Sequence, residues 1–307
     1  MASTTEKLHD LAPGLDLLPP AAIAQILVDG QIEAARAVTP ALEAICDAAR
    51  AMAHSLGSGG DLYYVAAGSS GLMAAADAME LGGTFGISPS RVHIVMAGGL
   101  PRSAEMPGGT EDDVAGLEAS LSELSSRDAV VTVAASGSTP FTVAAAHLAN
   151  KAGATTIGIA NNAPCPLLDA ARIKIALHTP PEVLSGSTRM GAGTAQKIAL
   201  NTLSTLMAVE LGHVFDGMMV NLVADNDKLR KRAAGIVQHI AGADEASATR
   251  ALETAEGRVK TAILIAAGAA SCAEADSILN QTGGNLRQAL AMLTRQKEPT
   301  SNRETTP

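Results

Sequence analysis

Five short runs of β-branched and small apolar residues, each closed by glycine or a polar turn, set the strongest limit on what this chain can fold into. They lie at residues 62–67, 92–97, 129–135, 155–160 and 173–177. Continuous apolar runs of this length read as strands buried on both faces. Between them stand segments of helical composition at 71–81, 112–124 and 139–152. Alternation of this kind predicts crossover units and a doubly wound α/β fold around a mainly parallel five-stranded sheet. Two lead-in helices are expected over 21–57, broken near Thr39-Pro40 and ended by Gly57, Ser58, Gly59 and Gly60.

Residues 187–211 carry few charges and predict a buried helix. Residues 225–232 form a charged, solvated one, with Asp225 and Asp227 ahead of Lys228, Arg230, Lys231 and Arg232, as the helix dipole favours. Beyond Gly242 the chain turns to short helices, with one weak repeat, 257–263 against 284–290. Two copies are too few for a solenoid. The division expected is a helical lead-in over 1–57, a central α/β domain over 58–241, a small helical subdomain over 242–294 and a disordered tail over 295–307.

Charge and composition exclude several classes of partner. A net charge of −9 and a pI near 5.2 leave no basic footprint for nucleic acid or an anionic membrane. With 3 Phe, 2 Tyr and no Trp, base-stacking platforms are excluded and the core falls to aliphatic residues. Cys46, Cys165 and Cys272 are odd in number and far apart, so neither a disulfide framework nor a zinc cluster is expected. The first ten residues lack the basic and apolar regions of a secretory signal, and residues 198–209 are too short an apolar stretch to span a bilayer. A cytoplasmic location is the expectation.

Two strand runs end in the same kind of turn. Residues 62–67 lead into Gly68, Ser69, Ser70 and Gly71, and residues 129–135 into Ser136, Gly137, Ser138 and Thr139. Glycine lets a ligand approach the backbone, the first N–H groups of the following helix point outward at its positive end, and hydroxyls add neutral donors. Either turn alone is an ordinary helix entry; two in one sheet suit a phosphorylated small molecule. Neither matches the Walker pattern or the dinucleotide fingerprint, so ATP and NAD are disfavoured and no cofactor is expected. Ser187 and Thr188 open the long apolar helix and serve either as caps or as ligand contacts.

Two carboxylates stand out. Glu80 closes the helix that leaves the first turn, among apolar and glycine neighbours. Burial there would raise its pKa and suit it to donate a proton. Glu111 precedes Asp112 and Asp113; it either opens an acid-rich helix or stays ionised as a base. The 7 histidines are dispersed, without HExxH, and no GxSxG elbow occurs, so neither a metal site nor a hydrolase triad is expected.

Taken in order, these segments resemble the N-acetylmuramic acid 6-phosphate etherase family of sugar isomerase (SIS) domain proteins. The resemblance runs from about residue 15 to 293. It is carried by the 67–71 and 134–140 loops, by 77–80 with Thr84, Phe85 and Gly86, by Gly98-Gly99, Glu111-Asp112-Asp113 and, most specifically, 186–197. It implies a cytosolic, cofactor-free homodimer that splits the D-lactyl ether of a phosphorylated amino sugar by elimination and water addition, in cell-wall recycling. Glu80 falls on the position that protonates the departing lactate oxygen, and Glu111 on a second acid/base position. The phosphate would rest on the hydroxyls of 69–70, 136–139 and 187–188.

Leu72, Ser138, Gly108 and Gly191 stand where the family usually has Arg, Arg, Glu and Lys, and Gly82-Gly83 replaces Pro-Pro. Lost positive charge at a sugar-phosphate site points to a divergent paralogue acting on a related modified sugar phosphate. A sugar-phosphate-sensing regulator and an aldose-ketose isomerase are the alternatives the same fold allows.

Overall fold

The computed structural model of the chain describes residues 4–106 and 108–297. It has two compact units, one of residues up to 80 together with 88–207, the other of 81–87 together with the chain from 208 on.

The first unit holds the five expected strands: β1 (Leu62–Ala66), β2 (Val92–Met96), β3 (Ala129–Ala134), β4 (Thr155–Ala160) and β5 (Ile173–Ala176). All neighbours pair in parallel, in the order β2-β1-β3-β4-β5. Every residue of β1 and β3 is buried, which is why neither run alternates, whereas β2 at the edge is half-buried until Met96. Helices α1 (Pro20–Arg36) and α2 (Leu42–Gly57) come first, and α2 buries Ile45, Ala48, Ala49 and Met52 at helical spacing. The crossovers are α3 (Gly68–Phe85), α4 (Leu117–Ser120), α5 (Pro140–Lys151) and α6 (Pro166–Ala170); α7 (Gly191–Glu210) follows.

The helix expected over 112–124 is a single turn, 117–120. Gly98, Gly99, Gly109 and Gly116 hold left-handed φ values of 74°, 82°, 66° and 77°, which break the preceding segment into loop. Leu117 and Leu121 reach the core and fix only the turn between them. Glu111 therefore opens no helix, and the dipole account of its position fails.

In the second unit stand a short hairpin of β6 (Val214–Phe215) and β7 (Met218–Met219), then α8 (Asp227–Ala241), α9 (Glu245–Thr254), α10 (Val259–Ala266), α11 (Cys272–Gln281) and α12 (Leu286–Lys297). The boundary read at 242 falls inside this unit, because Ala233, Ile236 and Val237 of α8 share one core with Ala262, Ile263 and Ala275. The charged start of α8 is exposed as expected and is capped by Asn226, whose Oδ1 accepts from the Leu229 N–H at 3.0 Å. The repeated heptapeptides start α10 and α12, with Val259 and Leu286, and Ala262 and Ala289, buried at matching positions. Residues 295–297 are helical, not a tail; the disorder expected for 298–307 lies outside the described residues.

Lys260 extends from α10 to the Gly284 carbonyl at 2.8 Å, and burial lowers its pKa to about 8. Burial, with a smaller push from the Lys260 charge, likewise lowers the pKa of His213 from 6.5 to about 4. The unfolded chain thus binds the His213 proton more readily than the native protein does between pH 6.5 and about 4, so its contribution to stability is full above that window and lost as pH falls through it. Replacing His213 with Asn is expected to flatten the acid limb of a urea-midpoint against pH profile in that range; an unchanged slope would count against the assignment.

Candidate functional site

In a 2-1-3-4-5 sheet the connections leave β1 and β3 in opposite directions, and the crevice at their carboxyl ends is where ligands of such folds bind. β1 and β3 are neighbours here, paired from Leu62 with Ala129 to Ala66 with Val133, so the tertiary structure sets the two glycine-serine loops side by side at that crevice.

Three helix starts compete for an anion. At α3, Gly68 takes φ 53° and the Glu111 carboxylate lies directly against it, on the ground a Cβ would occupy. Ser70 and Gly71 are buried, and Gly71 packs on the Met96 side chain, so the first loop offers Gly68 and Ser69, beneath an acid. At α7, the buried Glu182 carboxylate accepts from the N–H groups of Gly191 at 2.9 Å and Ala192 at 2.8 Å. That helix start is already neutralised, which removes the backbone half of the site expected at Ser187 and Thr188; both side chains stay half-buried in the turn before it.

At α5 the first turn carries no side-chain cap. Ser138 is exposed and Ser136 and Thr139 half-buried, with the Ser138 N–H donating to Ser136 Oγ at 3.2 Å. Gly137 takes φ 70° directly above the Cys165 thiol, and its carbonyl accepts from the Leu167 N–H at 2.9 Å. Pro140 has no N–H and the Phe141 N–H is taken by a backbone carbonyl, so three hydroxyls, the helix dipole and a loop backbone without a Cβ at Gly137 make this the candidate anion seat of the sheet edge.

Glu111 bridges the two loops. Its side chain meets Gly68, and its carbonyl accepts from the Phe141 N–H at 3.1 Å in the first turn of α5. Glu80 is not beside it. It stands about 18 Å along the α3 axis from Gly68 at the helical rise. It is also exposed, which corrects the expected burial: the apolar neighbours Leu72 and Met79 turn to solvent too, at 38% and 60% exposure.

Sequence reasoning missed Asp77, one turn before Glu80. Its buried carboxylate accepts from Tyr64 Oη at 3.1 Å, Asn201 Nδ2 at 2.8 Å and Ser204 Oγ at 2.8 Å, pinning α3 to β1 and α7. Burial raises its pKa, while the hydrogen bonds from Ser204, Asn201 and Tyr64 act against that rise. The available signal was an acid in an otherwise apolar helix whose charged residues are Asp77 and Glu80. Glu182 gave no local signal, because its partners appear only once the chain turns back. Among the described residues no group of three or more His, Cys, Asp or Glu could hold a metal ion. No helix of the described residues is long and apolar enough to cross a membrane.

A parallel sheet of this order with a hydroxyl-rich loop at its switch point defines a doubly wound α/β protein with its candidate ligand site at the carboxyl edge, and residues 32–161 match the SIS domain model. The fold is shared by a capsule-formation protein of Bacteroides fragilis, with a TM-score of 0.50 and 19% identity over 64% of this chain and 93% of that one. At the level of sequence, the chain is 42% identical to the N-acetylmuramic acid 6-phosphate etherase of Deinococcus radiodurans over 93% of its own length and 94% of that protein. It is 38% identical to the etherase of Streptomyces avermitilis over 94% and 93%. The chain belongs to the N-acetylmuramic acid 6-phosphate etherase family.

Proposed function

We propose that this protein is a lyase that cleaves the D-lactyl ether of N-acetylmuramic acid 6-phosphate, releasing D-lactate and N-acetylglucosamine 6-phosphate, as a cytoplasmic homodimer serving cell-wall recycling. The carrying observation is that the chain is 42% identical to an etherase along nearly its whole length. Two acids, Glu80 and Glu111, at the positions where the resemblance puts proton donor and acceptor favour catalysis over sensing.

The phosphate rests on the uncapped start of α5 among Ser136, Ser138 and Thr139. The hydroxyls there and the positive end of the α5 dipole do the work that Arg would do at 138 in the family the chain resembles. A phosphate on the first loop would face the Glu111 carboxylate at close range, which disfavours that seat. A Cβ at Gly191 would stand 3.0 Å from Ala34 Cβ and 3.1 Å from Glu182 Oε2, so a side chain there is accommodated only if these neighbours give way by a few tenths of an ångström.

In this reading Glu111, beside Gly68, takes the C2 proton of the open-chain sugar. The electron pair left on C2 expels the neighbouring C3–O bond, and the second acid protonates the departing lactate oxygen. Water then adds at C3 while C2 regains a proton. One donor and one acceptor each contribute about 10²–10⁴-fold to such a step.

Within one chain Glu80 lies too far along α3 to meet Glu111. On the same helix Leu72 and Met79, and on α7 Ile198, expose apolar surface that a second copy would cover. Glu80 of the partner subunit then completes each site. Wild-type protein is expected to release D-lactate from N-acetylmuramic acid 6-phosphate. Co-expressed Glu80→Gln and Glu111→Gln chains, each inactive alone, are expected to recover about a quarter of wild-type release, since random pairing restores one of two sites in half the dimers. No recovery from a mixed dimer that forms would place both acids in the same chain's site.

A further inference from the structure

Residues 4–7 of the chain reach the same sheet edge as the anion seat. The Thr4 N–H donates to Asn162 Oδ1 at 2.7 Å, and Asn162 Nδ2 donates to Thr5 Oγ1 at 3.3 Å and to the Ala135 carbonyl at 3.0 Å. That carbonyl also accepts from the Asn161 N–H at 3.1 Å. Thr5 is 2% exposed and Asn162 8%. The Asn162 amide thus engages its oxygen and both of its N–H donors, joining the amino-terminal segment to the residue that precedes Ser136. On the other side, the Lys7 carbonyl accepts from Ser185 Oγ at 3.5 Å and Glu6 Oε2 stands 4.0 Å from the place of a Cβ on Gly186. A segment more than a hundred residues away in sequence therefore runs from the foot of the 136–139 loop to the loop before α7.

We propose that Thr5 and Asn162 are positioning residues of the sugar-phosphate site: the amino-terminal segment holds the 136–139 loop in its ligand-binding form through Asn162. This rests on the reading of 136–139 as the phosphate seat. Asn162 and Thr5 touch no reacting atom, and a loop released from this tie must be ordered when the ligand binds, so the cost falls on affinity and not on the chemical step.

The test measures KM and kcat for N-acetylmuramic acid 6-phosphate, and Kd for N-acetylglucosamine 6-phosphate and for unphosphorylated N-acetylglucosamine, in Asn162→Ala, Thr5→Val and Thr5→Ser. Asn162→Ala and Thr5→Val are expected to raise KM and the Kd of the phosphorylated sugar about fivefold to tenfold, with kcat within about twofold. Thr5→Ser, which restores a hydroxyl, is expected to stay near wild type, and unphosphorylated sugar binding to be unmoved. Unchanged KM and Kd in both disabling variants would overturn the proposal, as would a fall in kcat that tracks a lower melting temperature at constant KM. Should wild-type protein release no lactate while the variants still weaken the phosphorylated sugar selectively, the etherase reading fails and the positioning role stands. Equal wild-type affinity for the two sugars would remove the phosphate seat and this proposal with it.

Discussion

Replacing Glu80 with Gln is expected to lower D-lactate release by about 10²–10⁴-fold while leaving the Kd of N-acetylglucosamine 6-phosphate within about threefold. Glutamine keeps the size of the side chain and its exposed position on α3 but cannot give a proton to a departing alkoxide. Because Glu80 is exposed and its carboxylate accepts no hydrogen bond among the described residues that the change would orphan, folding stays intact, and the loss reads chemistry alone. A comparable weakening of sugar-phosphate binding would mean that Glu80 holds the substrate instead of protonating its leaving group. Stopped-flow or endpoint lactate assay beside a thermal-shift titration separates the two.

The second large effect is expected at Gly137. Alanine there meets two obstacles at once: φ of 70°, where an L side chain is strained, and the Cys165 sulfur on the ground the new methyl would need. The backbone strain alone is of order 1–3 kcal/mol, and relieving it means lifting the loop off the end of β3. Gly137→Ala is expected to lose at least about tenfold in affinity for the phosphorylated sugar, with the unphosphorylated sugar little affected. Combining it with Cys165→Ala removes the sulfur but leaves the backbone strain and a Cβ at position 165 only 2.8 Å from the new methyl, so only a small part of the affinity is expected to return. Full binding by the single variant would show that phosphate is held elsewhere on the sheet edge.

Much of the frame was legible in the residues. The 155–160 run is β4 to the residue, and the other four strands end within one residue of their expected limits, because apolar runs bounded by glycine have no alternative partner but a buried sheet. The irregular 98–116 segment was misread as partly helical because acids and alanines outweighed glycines whose left-handed φ values are visible only in the fold. The start at 242 was misplaced because α8 looks solvated along its charged first turns, while its later residues Ala233, Ile236 and Val237 join the carboxy-terminal core.

At the site, the two loops and both acids could be picked out by residue type, but not which of three helix starts meet a carboxylate. That depends on where two side chains come to rest: Glu111 against Gly68 and Glu182 on the α7 start. By itself the sequence determined the α/β architecture, the family and the candidate residues for the proposed chemistry, since these follow from local periodicity and short motifs. Tertiary structure alone decided that the Glu111 carboxylate comes to rest on the α3 start, that Asp77 is a buried anchor, that residues 4–7 reach the sheet edge and that Glu80 stands apart from Glu111 in one chain. Each of these is a distance between residues far apart in sequence, and local propensity carries no information about such distances.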